Sequence, residues 1–219
     1  MTTSTAKRFT CSVWFFLTGS LVPMSASRAE LMYSFGQSNY NVEVNGRVIV
    51  DVFLTQTSPG VFDLAVDGLE SAGVRVSSDL NAPSDPARVL SVNDIAANPV
   101  FDGTFPPPVS EVVGSSSAGL VRGLDFGSPV PTGIQILLGS FTFTAGSVPG
   151  QITSLVAGDF SAETETVGGD ATFTPLDSMI GSGFATITTV TAVPEPSSLV
   201  LCATLIVISL TRGRRRSRA

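Results

Sequence analysis

The chain lacks several of the residues on which enzyme sites and disulfides depend. Among its 219 residues there is no histidine, and the single lysine is Lys7. Both cysteines, Cys11 and Cys202, and the one tryptophan, Trp14, lie in apolar segments near the termini. The stretch 30–192 therefore contains none of these four residue types. Their absence excludes histidine-based catalysis, zinc sites and internal disulfides from it.

Positive charge is scarce in the same stretch. It holds 17 acidic residues and four arginines, so its net charge is −13, against −6 for the whole chain. Nucleic-acid binding is excluded, because phosphate contacts need clustered lysine and arginine. With 163 residues, the stretch is long enough for one domain with its own core.

The N-terminal segment, 1–29, has the pattern of a secretory signal peptide. Two basic residues precede the apolar run Phe9–Val22, and small residues at Ser27 and Ala29 fit a cleavage site. The run has about 14 residues, whereas roughly 20 are needed to span a bilayer, which favours a cleaved signal over an anchor. We expect export by the secretion machinery and cleavage by signal peptidase after Ala29, with Ala26 or Ser27 as alternative positions.

The C-terminal segment, 193–219, has three parts. The tripeptide Pro194, Glu195 and Pro196 precedes a predicted transmembrane helix at about 197–211 and a basic end at 212–219. The basic end contains a cluster of five arginines: Arg212, Arg214, Arg215, Arg216 and Arg218. By the positive-inside rule this end stays in the cytoplasm, and 30–192 lies outside. The strictly apolar part of the helix covers only about 18 Å of a hydrocarbon core roughly 30 Å thick, so it is a marginal span.

This three-part arrangement resembles the PEP-CTERM sorting signal. The resemblance implies that an exosortase, an integral-membrane cysteine protease, cuts near the motif. Before the cut, the protein would be held briefly in the inner membrane. After it, the protein would pass to the cell surface or the exterior, in bacteria that make extracellular polysaccharide. The two prolines keep the motif extended, as a protease cleft requires. A rigid linker before a permanent tail anchor is the alternative.

Residues 30–192 have the pattern of an all-β domain. Glycine and proline make up about 18% of the stretch, and apolar residues alternate in Val48–Val52 and Phe141–Thr144. We expect an antiparallel β-sandwich of roughly eight to ten strands. The predicted strands are Leu31–Phe35, Tyr40–Val44, Arg47–Thr55, Val61–Val66, Gly73–Ser77, Ala87–Val92, Gly119–Phe126, Gln135–Ala145, Gln151–Val156, Ala171–Thr174 and Gly183–Val190.

Two local patterns and one resemblance refine this expectation. Asn45-Gly46 between two apolar runs predicts a hairpin. Ser91–Asn98 is either a helical turn or a loop. The cadence of the runs beginning at Val48, Gly68 and Ser140 is similar to that of cohesin-like jelly-roll domains of cell-surface proteins.

The acidic residues offer the candidate sites. One group in the sequence suits calcium, a hard cation that takes oxygen ligands, and comprises Asp159, Glu163, Glu165 and Asp170. A carboxylate pair in this group could instead serve a histidine-free hydrolase, and solvated loop acids are the third interpretation. A second group, Asp63, Asp67 and Glu70, does not have the spacing of an EF-hand loop.

We expect a protein without enzyme activity or catalytic residues. The hypothesis is a structural or adhesive module of the biofilm matrix, with extracellular polysaccharide as a partner. A carbohydrate- or ice-binding module and a carboxylate-based hydrolase are the alternatives. The threonine pairs Thr142/Thr144 and Thr186/Thr188 are isolated and lack the regular repeat that an ice-binding face needs. The eleven phenylalanines of 30–192 are expected to form the core.

Overall fold

The computed structural model of the protein describes residues 30–58, 60–78, 83–103, 107–114, 116–123, 133–161 and 164–192. The predicted signal peptide, the sorting motif, the predicted transmembrane helix and the arginine cluster lie outside these residues, as does Glu163. No helix within the described ranges is long and apolar enough to cross a membrane.

The described residues form twelve strands and three single-turn helices. The strands are β1 Leu31–Phe35, β2 Asn39–Glu43, β3 Arg47–Gln56, β4 Leu69–Ser77, β5 Ile95–Ala97, β6 Val109–Val113, β7 Ser117–Gly123, β8 Gln135–Thr144, β9 Ile152–Gly158, β10 Val167–Gly168, β11 Ile180–Gly181 and β12 Gly183–Val190. The α-helical turn α1 is Leu64–Asp67, and 3-10 turns occupy Val92–Asp94 and Asp177–Met179.

The strands form two sheets, which confirms the predicted sandwich. Sheet A has the order β11-β1-β3-β8-β5, and sheet B has the order β2-β12-β9-β4-β7-β6, with β10 also paired to β4. All pairings are antiparallel except those of β1 with β11 and of β2 with β12. The first stretch of the domain therefore contributes β1 to one sheet and β2 to the other.

The core lies between the sheets and follows from the alternation of side chains. On β3, Val50, Val52 and Leu54 face inward, and Val74 and Ile187 face them from sheet B with no more than 1% exposure. Burial of each such side chain stabilises the fold by about 1.5–3 kcal/mol. Among the described residues, the core extends from Leu31 to Ile187.

The Asn45-Gly46 prediction is right about the turn and wrong about the hairpin. Gly46 N donates to Glu43 O at 2.7 Å, and Asn45 has a φ of 57°, as a tight turn requires. However, β2 pairs in parallel with β12 in sheet B, whereas β3 pairs with β1 and β8 in sheet A. The turn therefore joins the two sheets instead of two neighbouring strands.

Three other predicted strands are wrong, because local side chains offer the backbone different partners. Val61–Val66 runs into α1, which Asp63 caps by accepting from Ala65 N at 3.0 Å. Ala171–Thr174 is a turn in which the Asp170 carboxylate accepts from Thr174 N at 2.8 Å. Ala87–Val92 makes only an isolated bridge, through Arg88, before the 3-10 turn at Val92–Asp94.

Candidate functional site

A long excursion between β9 and β11 builds the main polar site of the domain. The pairing with β4 ends at Gly158, and at Val167 the chain pairs again with the first half of the same strand, through β10. This path brings together Asp159, Glu165 and Asp177, whose carboxylate oxygens lie within 4.8 Å of one another. We call these three residues the acidic cluster.

Hydrogen bonds to the backbone hold the acidic cluster in place. The Asp177 carboxylate accepts from the amides of Glu165 and Thr166, both at 3.1 Å. The Ser71 hydroxyl donates to Glu165 O at 2.7 Å, and Ser161 bonds the Glu165 carboxylate. Asp177 thus fixes the return of the excursion onto β4.

Within the acidic cluster, Asp177 repels the charge of Asp159, whereas the Glu165 side chain is hydrogen-bonded to Asp159. Burial raises the pKa of Asp159, and the nearby carboxylate of Asp177 raises it further, although Arg75 acts in the opposite direction. Arg75 is itself occupied, since it donates to Glu111 at 2.6 Å and lies 5.1 Å from the centre of the Phe160 ring. The cluster therefore gathers negative charge that a hard cation would neutralise.

The structure brings together two of the four residues predicted to bind calcium. Asp159 and Glu165 belong to the acidic cluster, and Glu163 lies outside the described residues. Asp170 instead accepts hydrogen bonds from Thr172 and Thr174, which lower its pKa. Sequence reasoning missed Asp177, because it follows Glu165 by twelve residues and only the return of the excursion brings it back.

The geometry of the acidic cluster can be compared with that of the carboxylate pair in a glycoside hydrolase. Retaining glycosidases hold two carboxyl groups about 5–5.5 Å apart across a groove. Here Glu165 is only 9% exposed, and Asp177 is engaged by two backbone amides. The geometry favours a loop-holding or cation-binding role over acid–base catalysis.

Two members of the second acidic group, Asp63 and Asp67, serve local structure. Asp63 caps α1, and Asp67 accepts from Asp63 N at 2.9 Å. Next to α1 lies a cavity of about 310 Å³ lined by Gln56, Thr57, Ser58, Asp63, Ala65 and Ile134. Glu70 is 7% exposed on the first half of β4.

The predicted threonine pairs lie on opposite faces of the sandwich. Thr142 and Thr144 alternate with the buried phenylalanines of β8 in sheet A. Thr186 and Thr188 alternate with buried residues of β12 in sheet B. The two pairs therefore do not combine into one flat threonine face.

Two phenylalanines expected in the core are on the surface instead. Phe184 on β12 is 70% exposed, and Phe173 in the excursion is 51% exposed. A second cavity, of about 230 Å³, lies beside Phe184 and is lined by Ser38, Ser154, Leu155, Phe184, Ala185 and Thr186.

Comparisons with known proteins match the fold. No family model and no curated protein matches the sequence. The seventh ScaB type I cohesin from Pseudobacteroides cellulosolvens is 15% identical with a TM-score of 0.52, over 75% of this chain and 95% of that one.

Two other solved cohesins are similar. CaCohA2 from Clostridium acetobutylicum is 13% identical with a TM-score of 0.49, over 76% of this chain and 95% of that one. Another is the sixth cohesin of scaffoldin B from Acetivibrio cellulolyticus, solved in complex with a Cel5 dockerin. It is 15% identical with a TM-score of 0.47, over 74% of this chain and 99% of that one. The described domain has a cohesin-like β-sandwich fold, as the cadence of its strands predicts.

Proposed function

We propose that the chain is exported and that residues 30–192 act as a non-catalytic structural or adhesive module at the cell surface or in the biofilm matrix. The observation that carries the proposal is a complete cohesin-like sandwich whose last strand ends at Val190, directly before the three-part segment 193–219. Such a layout separates a folded module from the signal that delivers it.

The polar chemistry of the domain supports a non-catalytic role. Histidine and lysine, which often transfer protons near neutral pH, are absent from the stretch, so carboxylates and tyrosines are the groups left for such chemistry. The Asp177 carboxylate bonds two amides within the excursion, and the Ser71 hydroxyl of β4 bonds the backbone oxygen of Glu165.

The first strand of the described domain begins at one end of the sandwich and its last strand finishes at the opposite end, which suits a module displayed on a tether. Leu31 of β1 pairs with Ile180, just before β12 begins, whereas Glu43 of β2 pairs with Val190, where β12 ends. Eight residues of β12 cover about 26 Å at 3.3 Å per residue. A C-terminal anchor would therefore hold the Val190 end near the membrane and present the Leu31 end outward.

The partners in this proposal are the secretion machinery, signal peptidase and exosortase during export, and extracellular polysaccharide afterwards. The test is fractionation of cells that express the full chain, followed by N-terminal sequencing. We expect a mature protein that starts at or near Glu30 in the envelope or the medium. Leu17→Arg, which breaks the apolar run, should leave the precursor inside the cell. A wild-type chain recovered in the cytoplasm with Met1 intact would contradict the proposal.

A further inference from the structure

The outer face of sheet B carries an exposed aromatic ring among neutral side chains. Phe184 on β12 is 70% exposed, and Ile152 on β9 is 57% exposed. The other outward residues of β2, β9 and β12 around them are small or carry amides: Asn39, Asn41, Ser154, Val156, Thr186 and Thr188. We call this surface the Phe184 face.

Strand register makes the Phe184 face continuous. Thr186 lies opposite Ser154 on one side and Asn39 on the other, and Phe184 lies opposite Val156. Opposed side chains on one face of a sheet have Cβ atoms about 4.5–5.5 Å apart. The ring and the polar groups therefore share one platform built on paired strands, which hold it rigidly.

The polar groups beside the ring are ordered by their own hydrogen bonds. The Thr186 hydroxyl donates to Asn39 Oδ1 at 2.7 Å, and Asn39 Nδ2 donates to Ser38 Oγ at 3.1 Å. Hydroxyl and amide groups can each accept as well as donate hydrogen bonds. These side chains can therefore either donate to the hydroxyl groups of a ligand or accept from them.

The cavity beside Phe184 limits the size of the group that enters it. Its volume of about 230 Å³ is below the roughly 300–1,000 Å³ of pockets that enclose a whole small-molecule ligand. Ser38, Ser154 and Thr186 line it together with Phe184. One ring of a polymer can enter, while its neighbours lie along the open face.

The charge of the Phe184 face selects among polymers. Glu43 is the only ionisable side chain among the outward residues of β2, β9 and β12, all of which the structure describes. The surrounding domain carries a net charge of −13, so an anionic polymer is repelled and a cationic one is drawn to the acidic loops. An uncharged polymer fits this surface.

We propose that the Phe184 face binds a neutral polysaccharide. One sugar ring stacks its C–H face on Phe184, and its hydroxyl groups bond Ser38, Ser154 and Thr186. The inference rests on the proposed surface role and deepens it, since it names the site and the ligand class through which the module contacts its matrix.

The test is native gel electrophoresis of the purified full chain in a detergent without sugar head groups. The gels contain hydroxyethylcellulose, dextran or soluble starch as neutral polymers, alginate as an acidic one, or no polymer. We expect retardation in at least one neutral gel and unchanged migration with alginate. Phe184→Ala should weaken the retardation at least tenfold, and Phe184→Tyr should keep it. Phe173→Ala, which removes the other phenylalanine ring that is more than half exposed among the described residues, is the matched control and should bind as the wild type does.

Three results would overturn the inference. They are a wild-type chain retarded in none of the neutral gels, an equal loss for Phe173→Ala and Phe184→Ala, and self-association that depends on Phe184 without retardation by polymer. The last would make the face an interface between copies. Because the purified chain is used, failure here leaves the export proposal standing, and failed export with retained binding contradicts only that proposal.

Discussion

Tyr33 joins the two sheets through one buried hydroxyl. It lies on β1 in sheet A, is 1% exposed, and donates to Gly73 O on β4 in sheet B at 2.8 Å. Burial raises the pKa of Tyr33 well above its ordinary value. The hydrogen bond with Thr166 lowers this pKa, whereas the charges of Asp159, Asp177 and Glu165 raise it further. The hydroxyl is therefore held protonated in the fold.

This burial predicts a loss of stability at alkaline pH. In the unfolded chain Tyr33 ionises near pH 10, whereas the folded chain keeps its proton. The free energy of unfolding should therefore fall as the pH rises above about 10, until the pKa of the folded state is passed. Denaturant unfolding of domain 30–192 at several pH values, followed by tyrosinate absorbance, measures the effect.

Tyr33→Phe provides the variant for this measurement. It should cost about 0.5–1.5 kcal/mol at neutral pH, because one buried hydrogen bond is lost, and should flatten the alkaline decline. Tyr40→Phe is the comparison, since burial also raises the pKa of Tyr40, which accepts from Gln37 N at 3.1 Å; this variant should remove only part of the decline. A decline that persists unchanged in Tyr33→Phe would show that another group causes it.

The acidic cluster predicts a response to calcium. If calcium binds there with the dissociation constant of about 0.1–1 mM typical of extracellular modules, 10 mM calcium should stabilise the domain by at least about 1.4 kcal/mol. Asp159→Asn should act in two directions, because it removes one repelling charge and one ligand. Without metal, the Asp159→Asn variant should melt at a higher temperature than the metal-free wild type. The rise in melting temperature that calcium causes should be smaller in the variant than in the wild type.

Differential scanning calorimetry with and without calcium measures both effects. Asp170→Asn is the matched control, since Asp170 bonds Thr172 and Thr174, and it should keep the full increment. Equal melting temperatures in calcium and in sodium of matched ionic strength would remove the case for a cation site.

At the scale of elements, the excursion depends on glycines of sheet B. A Cβ at Gly119 would lie 2.6 Å from Cε2 of Phe160, and one at Gly73 would lie 2.8 Å from the Cβ of Glu165. Both glycines have outward positions on paired strands, so their lack of a side chain lets the excursion lie directly on the sheet.

Gly119→Ala should lower the free energy of unfolding by about 1–3 kcal/mol, because the added methyl group displaces the Phe160 ring. Limited proteolysis should then cut the excursion faster, and Phe160→Ala in the same chain should recover part of the stability lost. Gly158→Ala is the control, because the nearest atom to its Cβ would be Ser182 Oγ at 3.8 Å. Equal effects of the two alanines would refute this account of the packing.

The alternation of apolar residues in the sequence predicts the strands that bury one face in the core. β1 and β12 are found at their predicted residues, because alternating apolar side chains admit only one face toward the core. The helical turn α1 escaped prediction, because its backbone is held by Gln56, which accepts from Leu64 N and donates to Phe62 O, both at 2.9 Å. Such distant side-chain bonds leave no periodic signal.

The sequence predicts only part of each candidate site. Asp159 and Glu165 stand close in the sequence, but Asp177 joins them only through the pairing of β10 with β4. The exposure of Phe184 could not be foreseen either, since it occupies an alternating position of a strand and its direction depends on which face packs on sheet A.

At the scale of the whole molecule, the domain carries far more negative than positive charge. Ion pairs among the described residues engage two of the four arginines of the domain, Arg47 with Asp94 and Arg75 with Glu111. Arg122 donates to two backbone carbonyl oxygens, those of Val109 and Val121. The domain therefore keeps a large negative excess, and electrostatic repulsion between copies opposes their association.

The last prediction concerns the sorting segment. Replacing Pro194, Glu195 and Pro196 with alanine should leave membrane insertion unchanged, because the apolar stretch and the arginine cluster remain. Processing should stop, since alanine no longer keeps the segment extended for a protease. We expect a full-length, membrane-retained form of the variant on immunoblots of membrane and released fractions, where the wild type gives a shortened form.

A matched variant separates processing from orientation. Replacing the five arginines between Arg212 and Arg218 with glutamine keeps the motif and removes the charge bias, so orientation or retention should be disturbed instead. The two variants should therefore fail at different steps, and only the alanine variant should accumulate in the membrane with its correct topology. Equal processing of the wild type and the alanine variant would mean that the motif is a rigid linker. The protein would then display its sandwich from a permanent C-terminal anchor, with the Leu31 end still facing outward.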